Sequence, residues 1–130
     1  MNITIKTGAV LLDWPEVCRV LEKAPLGSRD PETLRKASEK SYAVCAAYCE
    51  EKLIGFGRAL SDGHYQSAIY DMAVLPEYQK KGVGSAIMKA LLAQLPRGNI
   101  ILYGEPGVEA FYHKFGFWRL DRAMVKLHNP

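Results

Sequence analysis

The feature that most constrains this chain is a strand pattern that leads, through a loop with two glycines, directly into an amphipathic helix. The strand pattern covers residues 66–75, the glycines are Gly82 and Gly84, and apolar residues recur at helical spacing over residues 82–95. The first turn of a helix that follows a glycine loop presents unpaired backbone N–H groups and the positive end of the helix dipole. The pattern therefore predicts a strand–loop–helix unit that can bind an anion.

The remaining segments complete an α/β fold with a mixed sheet. The element order is β-α-α-β-β-β-α-β-α-β, in which three hairpin-linked strands precede a βαβ crossover. We expect a single domain over residues 1–130. The predicted strands cover residues 2–7, 42–48, 53–60, 66–75, 99–103 and 117–127, and the predicted helices cover residues 14–24, 31–39, 82–95 and 106–116.

Composition and charge narrow the class of protein. The chain has 130 residues, of which 48% are hydrophobic and 24% charged, which is typical of a folded domain and not of a disordered one. No apolar run approaches the roughly 20 residues of a membrane span, and the N-terminus lacks an apolar signal core. A formal net charge of +3 suits an anionic ligand but does not indicate nucleic acid. We expect a cytoplasmic protein, monomeric or homodimeric, without nucleic-acid or membrane partners.

The three cysteines do not predict a disulfide framework or a metal site. Cys18, Cys45 and Cys49 are odd in number, and no second Cys/His pair of suitable spacing follows them. Free thiols and no bound metal are expected.

The glycine loop does not match the two commonest phosphate loops. A Walker loop needs Gly-Lys-Ser/Thr after a longer spacer, and a dinucleotide-binding loop needs a third glycine where this chain has Ile87. Lys80 and Lys81 add positive charge beside the glycines. On these residues alone, a tight strand-to-helix turn with solvated lysines is an equal alternative to an anion site.

Two segments resemble motifs of the GCN5-related N-acetyltransferase (GNAT) family. The segment Gln79-Lys80-Lys81-Gly82-Val83-Gly84 resembles its motif A, Gln/Arg-x-x-Gly-x-Gly/Ala, and Ala110-Phe111-Tyr112-His113-Lys114-Phe115-Gly116-Phe117 resembles its motif B, Phe-Tyr-x-x-x-Gly-Phe. A helix with a glycine C-cap could produce the second pattern alone. Both motifs stand in the family's order and at about its usual separation, and the resemblance extends over residues 41–120.

The resemblance implies a fold, an activity and a site. It implies transfer of an acetyl group from acetyl-CoA to a primary amine. The backbone of Met72, Ala73 and Val74 is expected to pair with the pantetheine arm and to polarise the thioester carbonyl. Tyr112 would protonate the leaving thiolate, with a core tyrosine as the alternative. The pyrophosphate would lie on Gln79, Lys80, Lys81, Gly82, Val83, Gly84 and Ser85.

The general base is not indicated by the family pattern. Relatives often carry Glu or His at the positions of Ala68 or Tyr70. Asp71 is adjacent, but strand alternation turns it to the opposite face unless a bulge re-aims it. Asp71, His64 in the preceding turn and a chain of waters all remain open.

The acceptor is indicated by a weaker resemblance. The segments 58–63 and 69–71 resemble arylalkylamine (serotonin-type) acetyltransferases of plants and bacteria, which implies a small, possibly aromatic amine. Five aromatic residues could stack on such an amine or belong to the core: Tyr42, Tyr48, Tyr65, Tyr70 and Trp118. An acceptor amino group on a protein or peptide, and a regulatory domain that binds acyl-CoA without chemistry, are the alternatives.

Overall fold

The computed structural model describes residues 1–9 and 11–128. Five strands form one sheet in the order β1-β2-β3-β4-β5. Neighbouring strands are antiparallel except β4 and β5, which are parallel. The elements are β1 (Ile3–Thr7), α1 (Trp14–Lys23), α2 (Pro31–Glu39), β2 (Ala43–Cys49), β3 (Lys52–Ser61), β4 (Gln66–Val74), a 3₁₀ turn (Pro76–Tyr78), α3 (Val83–Gln94), β5 (Asn99–Leu102) and α4 (Glu109–His113).

Local sequence signals set the starts of the first two helices. The Asp13 carboxylate accepts a hydrogen bond from the Glu16 N–H at 3.2 Å, and the Asp30 carboxylate accepts one from the Thr33 N–H at 2.9 Å. Each cap precedes a proline in the first turn, where the missing N–H costs nothing. In residues 1–9 and 11–128 no helix is long and apolar enough to cross a bilayer.

Helices cover both faces of the sheet. On one face α3 approaches β3 closely, since a β-carbon on Gly57 would lie 3.0 Å from side-chain atoms of Ile87 and Leu91. On the other face the rings of Trp14 and Phe56 meet edge to face, with their centroids 6.1 Å apart. This close packing fixes α3, and with it the glycine loop at its N-terminus, against the middle of the sheet.

Strand β4 contains a bulge that changes which side chains share a face. Phe56 of β3 pairs with Ala73, and Arg58 pairs with Tyr70. Two residues of β4, Asp71 and Met72, therefore lie opposite the single residue between Phe56 and Arg58. Asp71 has a φ of +55°, in the left-handed region. The bulge turns the Asp71 side chain to the face of Tyr70, which regular alternation would not do.

The predicted final strand is wrong for the described residues. Residues 117–128 belong to no strand, and a turn at Asp121–Arg122 divides them into two short pieces. Their apolar side chains stay largely in solvent; Met124 is 96% exposed and Leu127 58%. The turn interrupts the pairing that a continuous strand over these residues would need, and β5 beside them is only 4 residues long.

The last helix is shorter than predicted. Gly107 has a φ of +92°, which keeps the chain out of helical conformation until Glu109. Gly116, with a φ of +90°, closes the turn that follows His113, the last residue of the helix. The N–H of Gly116 donates to His113 O at 3.1 Å and that of Phe117 to Tyr112 O at 3.2 Å, the bond pair of a Schellman cap.

Candidate active site

The site lies where β4 and β5 part. The two strands pair from Gln66 with Asn99 to Ile69 with Leu102. Beyond that point no β5 residue in the described chain pairs with residues 70–74 of β4. Tyr70 and Tyr103 directly follow this last pair, and their rings meet at a centroid distance of 6.2 Å. The divergence leaves one edge of β4 open beside the helix α4.

The backbone of Val74 faces this open edge. The next residue, Leu75, donates its N–H to Ile54 O of β3 at 2.9 Å. Because backbone groups alternate sides along a strand, those of Val74 point away from β3. The Val74 carbonyl accepts a hydrogen bond from the Gln79 side-chain amide at 2.9 Å. Gln79 of the first motif thus holds the loop against the end of β4.

The loop that follows presents backbone donors to the same edge. Gly82 and Lys80 have φ values of +87° and +61°, and a β-carbon on Gly82 would meet nothing within 4 Å. The first backbone bond of α3 runs from Ala86 N to Gly82 O at 3.1 Å. The N–H groups of Val83, Gly84 and Ser85 precede that bond, so they are available to an anion.

The two sequence motifs contact each other. A β-carbon on Gly84 would lie 3.3 Å from the Cζ of Phe111 and 4.0 Å from a methyl of Val74. The Lys114 Nζ lies 5.1 Å from the centroid of the Phe111 ring. Phe111 therefore packs α4 onto the start of α3 and brings Lys114, a cation that the sequence did not single out, towards the glycine loop.

Tyr112 stands beside the open end of β5. Its ring meets Phe111 at 5.2 Å and Phe117 at 6.2 Å, and it lies 3.7 Å from the position of a β-carbon on Gly104. Among the described residues no side chain or backbone group is hydrogen-bonded to its hydroxyl. Burial, and to a lesser degree the negative charge of Glu105, raises the pKa of the phenol above its ordinary value. The hydroxyl therefore keeps its proton at neutral pH and can donate it.

Asp71 is held by two arginines. Its Oδ1 accepts from Arg29 Nη2 at 2.9 Å and its Oδ2 from Arg58 Nε at 2.8 Å. The Asp71 side chain is only 8% exposed. The Arg58 guanidinium also lies 5.8 Å from the centroid of the Tyr70 ring. The bulge therefore brings Asp71 to the side of the sheet that bears Tyr70, with both carboxylate oxygens in ion pairs.

An open space of about 1210 Å³ adjoins the site along β5, and six aromatic side chains line it: Tyr70, Tyr103, Tyr112, Phe115, Phe117 and Trp118. The sequence predicted a role in the site for Tyr70, Tyr112 and Trp118, but not for Tyr103. The other predicted aromatics do not line this space: Tyr42 and Tyr65 are 48% and 76% exposed, and Tyr48 has the Lys6 ammonium over its ring.

His64 and the cysteines lie apart from the site. His64 precedes β4, whereas the glycine loop follows that strand, and its N–H donates to Asp62 at 2.7 Å. Cys18, Cys45 and Cys49 are free, and burial raises the pKa of the Cys45 thiol to about 11. Within residues 1–9 and 11–128, no cluster of three His, Cys, Asp or Glu residues could hold a metal ion.

Known proteins resemble this chain in sequence and fold. The family described as acetyltransferase (GNAT) domain matches residues 40–119. Serotonin N-acetyltransferase 2, chloroplastic, from Oryza sativa is 34% identical over 89% of this chain and 62% of its own length. Histone acetyltransferase TAP1 from Glycine max is 38% identical over 52% of this chain and 31% of its own length. The chain thus spans less than two thirds of either relative.

A solved structure extends the match to the whole chain. A GNAT-family acetyltransferase from Streptococcus pneumoniae superposes with a TM-score of 0.85 at 26% identity, covering 99% of this chain and 100% of its own. The matched residues 40–119 contain β4, the glycine loop, α3 and α4. The fold, the two motifs and the family match agree, and this chain belongs to the GNAT acetyltransferase family.

Proposed function

We propose that this chain is an N-acetyltransferase that moves an acetyl group from acetyl-CoA to a primary amine. The observation that carries the proposal is the opening between β4 and β5, with loop donors at one end and the Tyr112 hydroxyl at the other. Family membership makes acetyl-CoA the expected donor.

The residues around the opening suit the parts of acetyl-CoA. The free N–H groups of Val83, Gly84 and Ser85 would bind the pyrophosphate, because they combine unpaired donors with the positive helix end. Lys80 and Lys81 precede these groups in the loop and would add charge. The open edge of Met72, Ala73 and Val74 would pair with the amide-bearing arm as a further strand would.

The same edge and Tyr112 divide the chemical work. Acetyl-CoA supplies the acetyl group as an activated thioester. The amine would attack it directly and form the C–N bond of a tetrahedral intermediate, and the C–S bond would break as that intermediate collapses. A backbone N–H at the β4 edge would stabilise the negative charge that develops on the carbonyl oxygen. The Tyr112 hydroxyl, which like any phenol holds its proton at neutral pH, would donate that proton to the departing thiolate and regain one from water.

The amine proton has no assigned acceptor among the side chains at the opening. Ala68 and Tyr70 stand where relatives often carry a base, and both oxygens of Asp71 are in ion pairs. We infer that the amine enters in its neutral form. After it attacks, its nitrogen would lose one proton to water. Asp71 as the base stays the rival prediction.

An aromatic amine is the acceptor that we favour. Six aromatic side chains line the space beside the opening, and such rings stack on a flat apolar body while leaving its amino group free. The rice relative is named for serotonin, an aromatic amine.

A cytoplasmic location also stays a prediction, since the name of that relative places it in the chloroplast.

A protein amino group is the second candidate. The space of about 1210 Å³ is larger and more open than a small amine needs, and the soybean relative is named a histone acetyltransferase. An extended peptide could lie along the exposed edge of β5, where Ile101 is 53% exposed.

One assay separates these candidates. The chain is incubated with acetyl-CoA and, in turn, an arylalkylamine, an aliphatic amine and a lysine-containing peptide, and free CoA thiol and product mass are measured. Fastest turnover with the arylalkylamine supports the proposal. Turnover with the peptide alone would replace it by the second candidate, and acetyl-CoA binding without any turnover would indicate a non-catalytic domain.

A further inference from the structure

The carboxylate of Asp71 joins three separate parts of the molecule. It stands on the bulge of β4, one residue before the edge proposed to bind acetyl-CoA. Arg58 reaches it from β3 at 2.8 Å, and Arg29 reaches it at 2.9 Å from the loop between α1 and α2. Arg29 is separated from Asp71 by 42 residues in sequence, so this contact depends on the tertiary fold.

The ion pairs and burial of Asp71 favour a positioning role over proton transfer. Asp71 adopts a φ of +55°, an uncommon conformation for a residue other than glycine. The strained residue aims its carboxylate into a setting where both oxygens already accept charged hydrogen bonds, and the side chain is 8% exposed. Strain of this kind persists where the surrounding contacts fix it.

The partners of Asp71 reach the wall of the opening. Arg58 lies over the Tyr70 ring, and that ring meets Tyr103 across the point where the strands part. Arg58 also donates to the Ser41 hydroxyl at 3.3 Å, ahead of β2. Arg29 donates to the backbone carbonyl of Leu26 at 3.3 Å, which stiffens its own loop. A change at Asp71 would therefore release both the loop and the aromatic wall.

We propose that Asp71 is a positioning residue whose ion pairs with Arg29 and Arg58 fix Tyr70 in the wall of the space that would receive the acceptor amine. This inference rests on the proposed acetyltransferase function. In this proposal Asp71 contributes to affinity for the acceptor amine and does not remove the amine proton. Arg29 and Arg58 contribute to the same affinity through their ion pairs with Asp71.

The test compares Asp71→Asn, Arg29→Gln and their double variant with the wild type. Each single change should raise the KM for the arylalkylamine roughly tenfold or more, because misplacement by about 1 Å is costly. The acetyl-CoA Kd should stay within about twofold of the wild-type value. The amine KM of the double variant should not exceed that of Asp71→Asn, since both changes break the same Arg29–Asp71 ion pair. Arg29→Lys should recover part of the loss.

The matched control is Arg35→Gln. Arg35 pairs with Glu32 and Glu39 within α2, so its loss breaks a nearby ion-pair network that does not involve Asp71. Kinetics of this variant should match the wild type.

The pH profile identifies the opposing result. If Asp71 is only a positioning residue, the rising limb of kcat/KM with pH keeps its midpoint in Asp71→Asn. Loss of that limb in Asp71→Asn, with unchanged KM in Arg29→Gln, would make Asp71 the base and overturn the proposal. If Asp71→Asn does not fold, an unchanged KM for the amine in Arg29→Gln is by itself enough to overturn the proposal. Absence of turnover in the wild type would instead refute the proposed function.

Discussion

The ring of Phe111 occupies the space beside the α-carbon of Gly84, with its Cζ 3.3 Å from where a β-carbon would stand. This contact joins the helix that carries Tyr112 to the loop proposed to bind pyrophosphate. A residue with no side chain at position 84 is what allows the approach. The spacing of the two motifs in the sequence therefore has a physical basis, because each motif fixes the position of the other.

Gly84→Ala should be tolerated and Gly84→Leu should not. A single methyl needs Phe111 to move by a few tenths of an ångström, and the gain in helix propensity of roughly 1 kcal/mol offsets this cost. Leucine would displace the ring and cost about 1–3 kcal/mol of the free energy of unfolding. Urea unfolding measures both. Equal stability of the two variants would mean that Phe111 does not pack here.

Tyr112→Phe should lower kcat on the order of tenfold or more and leave the acetyl-CoA Kd nearly unchanged. The hydroxyl makes no hydrogen bond to the part of the chain that the structure describes, so its removal should change the melting temperature little. Steady-state kinetics and calorimetry provide the two readouts. Unaltered turnover with every amine of the panel would make Tyr112 a packing residue.

The pKa of Tyr112 should respond to Glu105. Burial is the larger cause of the raised pKa, and the negative charge of Glu105 adds to it. Glu105→Gln removes the negative charge that disfavours the phenolate, so it should lower the pKa without returning it to the ordinary value. Absorbance titration of each protein minus its Tyr112→Phe counterpart isolates this one phenol. A pKa that rises, or does not move, would show that Glu105 does not act on Tyr112.

Gly98→Ala should destabilise the start of β5. A β-carbon there would lie 2.3 Å from the Tyr65 carbonyl oxygen, and backbone cannot yield as a side chain can. The same oxygen accepts from Asn99 N at 2.9 Å, so the clash also strains the parallel pairing of β4 and β5. We expect a loss of about 1–3 kcal/mol. Gly8→Ala is the control, since Gly8 shares a positive φ of +95° but has open space around it; an equal loss in both would refute the clash.

Signals that act within a few residues could be predicted from the sequence. Asp13 and Asp30 cap helices beside prolines, and the glycine loop opens α3, as expected. Each of these depends on one residue and its immediate neighbours, so the local pattern was sufficient.

Features that depend on distant partners could not be predicted. A bulge at Asp71 was one alternative left open by the sequence, and only the register of β3 against β4 decides for it. The ion pair of Arg29 with Asp71 joins the α1–α2 loop to β4, 42 residues away in sequence. The strand expected over residues 117–127 failed for a similar reason. Its alternation is suitable, but β5 offers it only 4 residues and a turn interrupts it.

The most direct test of the account is acetyl-CoA binding to Gly82→Val, measured by calorimetry beside the wild type and Gly8→Val. Gly82 and Gly8 have φ values of +87° and +95° with nothing near a β-carbon, so both valines impose similar backbone strain. We expect similar losses of melting temperature in the two variants. Acetyl-CoA binding should be at least about tenfold weaker, or 1.4 kcal/mol, in Gly82→Val alone. Wild-type affinity in a folded Gly82→Val would contradict the assignment of this loop to the cofactor.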